Sequence, residues 1–328
     1  MTRHTQHRRI KILWFLLFWL ATLGLIGLNQ QRLVDWWKLR GYTPAADVAA
    51  ITQEDTMTPY AKHLFYVNKP DITVGPDFIA NCPLGSEKTV ILGCYKGGDA
   101  GIYVYKVSDA RLNGVIEVTA AHEMLHAAYA RLSTSERRHV DIMLYDYYAH
   151  TLQDQRIKDT IALYEKSEPT ELNNEMHSIF GTEIAVLPAP LETYYRQYFT
   201  NRSVVVGYTA RYQVEFTSRQ NQVTAYDAQL KVLKTTIDNE QSSLSSQRAT
   251  LMAQLSSLSA PGSRDDPNSY NTQVSRYNQA VVAYNRLLAQ ARTDIGSYNT
   301  LVDKRNAIAL EEQQLSQALE PQSLPELR

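Results

Sequence analysis

Val223, Leu230, Ile237, Leu244, Leu251 and Leu258 fall at every seventh residue, with Tyr226 and Leu233 at intervening core positions. No Gly or Pro interrupts the chain between Thr209 and Ser259. A polar break, Ala260-Pro261-Gly262-Ser263-Arg264-Asp265-Asp266-Pro267-Asn268-Ser269, precedes a second run. There Tyr270, Val274, Tyr277, Val281, Tyr284, Leu288, Ala291, Ile295, Tyr298 and Val302 alternate at spacings of four and three. Sustained seven-residue apolar periodicity keeps one seam of a helix facing a partner and signals coiled coil. Two runs of about 50 residues, roughly 75 Å each as helix, with a short connector predict an antiparallel hairpin over 202–320 that turns near 260–269. The Tyr-Asn pairs at 270, 277, 284 and 298 repeat with the heptad, so the tyrosine stripe reads as packing. Glu240, Gln247 and Gln254 sit at alternate core positions of the first run. Such a thin seam implies a coiled-coil partner, self-association or movement.

The 328 residues leave room for a further domain, and 33 Lys and Arg against 34 Asp and Glu give no reason to expect nucleic acid as a partner. Residues Ile12 to Leu28 are uncharged and overwhelmingly apolar. As a helix they span roughly 25 Å, slightly short of the roughly 30 Å hydrocarbon core, a difference that Asn29, Gln30, Lys11 and Arg32 can cover. Leu28-Asn29-Gln30-Gln31 is no small-x-small cleavage site, so the expectation is an uncleaved transmembrane signal anchor over 12–28 behind a basic flank, 1–11. Arg3, Arg8, Arg9 and Lys11 before it against Arg32, Lys38 and Arg40 after it favour a cytoplasmic amino terminus. A juxtamembrane linker, 29–60, follows, with Trp36 and Trp37 expected at the membrane interface. The remainder would be extracytoplasmic, where a disulfide between the only cysteines, Cys82 and Cys94, is the default. Residues 321–328 read as a tail.

Between linker and hairpin lies a domain over 61–201. Thr89 to Tyr95 and Ile102 to Val107, joined by Lys96-Gly97-Gly98-Asp99-Ala100-Gly101, predict a β-hairpin. Then comes Thr119-Ala120-Ala121-His122-Glu123-Met124-Leu125-His126, an H-E-x-x-H motif. Histidines at i and i+4 project from one helix face and can share one Zn²⁺, while Glu123 lies where it can take a proton from water beside that ion. Val118, Thr119, Ala120, Ala121, Met124, Leu125, Ala127, Ala128, Tyr129 and Ala130 carry no charge, so the helix reads as buried. Polar side chains in a buried helix are costly unless paired or bound to metal.

The segment resembles the active-site helix of the zincin metallopeptidases over about a dozen residues. Ala127 to Glu136 contain neither His nor Gly, so the resemblance is to the gluzincin-like branch, which implies a downstream Glu ligand. It also implies a small sheet before the helix, whose second strand, Ile102 to Val107, could bind an extended peptide. Pro169 to Glu183 is the candidate segment for the third ligand, with Pro169 suited to a first helical turn and Gly181 to a stop. Leu172, Met176 and Ile179 form its apolar face; Glu175 flanks that face and is preferred, followed by Glu171, His177 and Glu183. The gap back to His126 is longer than in the compact pattern, and a helix opened by the capping box Ser133-Thr134-Ser135-Glu136 fills it. A transition-state stabiliser stays open among 21 tyrosines, with Tyr194 and Tyr195 the places to look. No Gly-rich phosphate loop, G-x-S-x-G or CxxC is present.

The expectation is thus an α+β zincin-like catalytic domain preceded by a transmembrane helix and followed by a long antiparallel coiled-coil hairpin. The activity expected is that of a membrane-anchored zinc metalloendopeptidase acting on protein or peptide, with His122, His126 and Glu175 on zinc and Glu123 as base. The alternative is a non-catalytic structural or adaptor membrane protein that works through the hairpin, its metal site merely structural.

Overall fold

A computed structural model of the chain describes residues 14–20, 22, 24, 27, 29–82, 92–98 and 100–321. These fall into two units, Met1–Tyr212 with Ala318–Arg328, and Gln213–Gln317.

The first unit is organised around a helix that is apolar on nearly every side, as a core helix must be. Its elements run α1 (Gln30–Leu39), α2 (Ala46–Glu54), α3 (Pro59–Val67), β1 (Asp71–Thr73), α4 (Gly75–Asn81), β2 (Gly93–Lys96), β3 (Gly101–Tyr105) and α5 (Val115–Ala130). They continue with α6 (Thr134–His150), α7 (Gln155–Ser167), α8 (Leu172–Glu183), α9 (Ala189–Tyr195) and the start of α10 (Arg202–Leu258). Ala120, Ala121, Met124, Leu125, Ala127 and Ala128 of α5 are wholly inaccessible, and α8, α3 and the sheet pack around them. Gly181 lies inside α8 rather than ending it. A side-chain carbon there would strike Leu125 and Tyr195, so glycine is what lets α8 approach α5 closely. The capping box forms in full: Glu136 N donates to Ser133 Oγ and Ser133 N to Glu136 Oε2, opening α6.

The sheet has the order β1-β3-β2, with β1 parallel and β2 antiparallel to β3. Cys94 of β2 is joined to Cys82, which closes α4. Residues 83–91 lie outside the described residues, so Thr89 to Ile91 of the expected first strand are not described.

Two expectations are corrected. The fold is 76% helical, and its only described sheet consists of strands of three, four and five residues. The α+β zincin-like description therefore gives way to a helical fold carrying a small sheet. The short β-runs were visible in the sequence, but the surrounding segments close into helices that bury most of the core. The second correction concerns the membrane. Among the described residues no helix is long and apolar enough to cross one. The transmembrane anchor, the single-pass placement and the cytoplasmic amino terminus are withdrawn. That reading needs Asn29, Gln30, Lys11 and Arg32 to complete the span, whereas α1 begins at Gln30 and is built into the globular unit. Its Asp35 is 4% exposed and receives both Arg131 Nη1 (2.7 Å) and Nη2 (2.9 Å), with His63 Nε2 at 2.9 Å. The flank 1–11, part of the run 12–28 and residues 322–328 of the tail lie outside the described residues.

The second unit comprises the rest of α10 and most of α11 (Pro267–Leu319). Arg219 pairs with Glu311 at 3.1 Å and Arg305 with Asp227 at 3.0 Å. As position rises on one helix the partner's falls on the other, which defines an antiparallel hairpin. Gly262, with φ of +78°, lies in the turn.

Candidate metal centre

α5 carries His122, Glu123 and His126 with their ligand atoms within 4.8 Å of one another, a group that could hold a metal ion. α8 crosses α5 and brings Glu175 to the same place. Glu175 Oε1 lies 3.5 Å from His126 Nε2, and Glu175 Oε2 lies 3.7 Å from His122 Nε2. Side-chain exposure is 19%, 11% and 12% for His122, His126 and Glu175, so water screens these groups weakly.

The hydrogen bonds behind His126 determine what its Nε2 offers. Asn174 Nδ2 donates to Glu171 Oε2 at 3.2 Å, which turns Asn174 Oδ1 toward His126 Nδ1, 3.0 Å away. A carboxamide oxygen only accepts, so Nδ1 donates to it, and Nε2 is the atom turned toward Glu175. A direct charge-assisted hydrogen bond would bring nitrogen and carboxylate to about 2.8 Å, well inside the observed distances. Two ligands at about 2.0 Å from one tetrahedral ion stand roughly 3.3 Å apart, close to what is found. Glu175 Oε2 is moreover buried without a hydrogen-bond partner. The donor set thus fits a divalent cation: two imidazole nitrogens and a carboxylate converge, with an orphaned oxygen turned inward.

Burial raises the Glu175 carboxyl, but the facing His126, then His122 and the Tyr164 hydroxyl outweigh it and hold Glu175 below the usual range. Glu123 moves the other way. Burial, with Glu175 adding to it against the opposing pull of His126 and a hydrogen bond from the Tyr95 backbone, pushes it up to about 7. A carboxylate poised there takes and returns protons near neutrality.

The remaining sequence candidates have other duties. Glu171 orients Asn174. Glu183 accepts from Arg156 Nη1 at 2.7 Å. His177 is wholly buried, its Nε2 2.9 Å from the Tyr194 hydroxyl, and burial followed by the nearby His126 and His122 pushes it down to about 3. The Tyr194 hydroxyl also meets that of Tyr198 at 3.1 Å, and the Tyr195 hydroxyl donates to the His177 carbonyl at 2.7 Å. Both tyrosines are thereby committed to the His177 cluster. The strand expected to take a peptide, Ile102 onward, is central in the sheet; the strand with one ladder partner and Glu123 beside it is β2.

Sequence reasoning passed over Asn174 and the β2 backbone. Asn174 had one visible signal, a carboxamide directly before the preferred acid; the approach of Gly93 and Tyr95 to Glu123 had none.

No family model, no curated protein and no solved structure matches the chain.

Proposed function

We propose that the chain is a zinc-dependent metallopeptidase in which His122, His126 and Glu175 hold the ion and Glu123 is the general base. The observation that carries this reading is the convergence of Glu175 on both motif histidines, Oε1 3.5 Å from His126 Nε2 and Oε2 3.7 Å from His122 Nε2, separations close to those two ligands of one ion keep. Two imidazoles and one carboxylate form a donor set suited to zinc with a position left for solvent. The ion supplies Lewis-acid activation of water and of the substrate carbonyl.

The chain's own residues supply the rest. Glu123 takes a proton from the attacking water as oxygen bonds to the peptide carbon. It returns that proton to the departing nitrogen as the C–N bond breaks, leaving a carboxylate and an amine. β2, with a ladder partner on one side only, offers an extended peptide main chain a surface beside Glu123.

The test is purified full-length protein, its zinc content, and its hydrolysis of an unstructured protein beside Glu123→Gln. The expected result is about one zinc per chain in both and a fall in kcat of at least about 10²-fold in the variant. Zinc bound equally with equal hydrolysis, or none by either protein, favours a structural metal site instead.

A further inference from the structure

Two residues of β2, one on each side of Cys94, touch the proposed base. At Gly93 a side-chain carbon would fall 2.7 Å from Glu123 Oε1 and 2.6 Å from Thr119 Cγ2, so the strand backbone itself walls the carboxylate. The Tyr95 backbone N–H donates to Glu123. Cys94, between them, is bonded to Cys82 at the end of α4. Building on the peptidase reading above, we propose that the Cys82–Cys94 disulfide is a positioning element for Glu123. It holds β2 on the carboxylate, so breaking it lowers turnover and leaves the metal ligands in place.

The strand is four residues long, and among the described residues its ladder partner is β3; α5 packs against it, and so short a strand at a sheet edge is marginal without further support. Beyond the disulfide, Lys96 Nζ donates to Asn81 Oδ1 at 3.4 Å, a further tie to α4. The ligands, in contrast, stand on α5 and α8, and the bonds that orient His126 come from Asn174 and Glu171. The disulfide therefore bears on the base and not on the metal.

A trialkylphosphine makes the break without a competing thiol ligand for zinc. The phosphine gives two electrons to the S–S bond and takes oxygen from water as phosphine oxide, and the two protons of that water complete the Cys82 and Cys94 thiols. The experiment compares zinc-loaded full-length protein before reduction, after reduction, after reoxidation, and as the double variant Cys82→Ser, Cys94→Ser. Expected on reduction are unchanged zinc content, a kcat lower by about tenfold, KM within about twofold, and faster amide exchange confined to Gly93–Lys96. Reoxidation should restore both kcat and protection. Unchanged exchange in β2, loss of zinc with activity, or loosening that spreads across α5 and α8 would each overturn the proposal. Absence of hydrolysis by the oxidised protein refutes the peptidase reading instead, and the β2 exchange then decides the disulfide's role alone.

Discussion

Both units bury polar groups, and they do so to opposite effect. In the globular unit the buried groups converge. His122, His126 and Glu175 meet at one point with Glu171 and Asn174 behind them, and Asp35 is gripped by Arg131 and His63. In the hairpin they are strung along a seam: Gln254 Oε1 is buried without a hydrogen-bond partner, and Glu240 meets Asp294. Burial raises the Glu240 carboxyl, and neighbouring Asp294 raises it further. The globular unit holds such groups too, among them Asn68 Oδ1, Ser178 Oγ and the wholly buried Asp55, whose carboxyl is pushed well up by burial, then by Glu117 and Glu54. Convergence is the mark of a site, because desolvating several polar groups at one point needs a common partner to offset it. Dispersal along a helix pair marks a seam that is only moderately apolar.

The largest stability effect should come from the Asp35 network. Asp35→Asn leaves the Arg131 guanidinium without its counter-charge and should lower stability by about 2–3 kcal/mol at neutral pH, read as a fall in Tm. Burial raises the Asp35 carboxyl, but Arg131, His63 and Gln31 outweigh it and hold it below the usual range. The contribution is therefore present above the unfolded value near 4 and lost as pH falls through the lower folded value. The wild-type acid limb should flatten in the variant, and equal slopes would remove Asp35 from the comparison.

Asn174→Leu is a smaller perturbation aimed at the convergent site. It takes away the acceptor for His126 Nδ1 and should weaken zinc binding by roughly 10–100-fold with the fold retained. Unaltered affinity would mean that the tautomer of His126 is not set by Asn174.

The smallest effect belongs to the seam. Because the Glu240 carboxyl is raised in the folded hairpin, its charge opposes folding above that range. Glu240→Leu should raise the hairpin's melting temperature at pH 7 and leave zinc binding unchanged. A lower melting temperature would show that the contact of Glu240 with Asp294 stabilises the hairpin.

These contrasts were unequally legible in the amino-acid order. Periodicity writes a helix hairpin directly, since Val223 through Leu258 and Tyr270 through Val302 each describe one stripe. H-E-x-x-H is local too, because i and i+4 share a face whatever surrounds them. Glu175 could be ranked from its place beside the apolar face of α8, yet its meeting with His126 depends on how α8 crosses α5, and that rests on the lack of a side chain at Gly181. By local rules Gly181 is a helix stop; in the fold it serves the close crossing of α8 and α5 instead. β1, three residues paired in parallel with a strand 32 positions later (Asp71 with Tyr103), had no local pattern strong enough to find. The apolar run before Gln30 misled for the converse reason: composition alone suggested a span, and the buried salt bridge of Asp35 to Arg131 spans a sequence distance no local rule covers.

The central claim is that Glu175 completes a metal site with His122 and His126. It is tested most directly by titrating Zn²⁺ into metal-free wild-type protein and into Glu175→Gln. Loss of a direct ligand should weaken binding by more than the roughly 10–100-fold typical of an outer-shell partner, with one site per wild-type chain. Equal affinity in the two proteins would contradict the account.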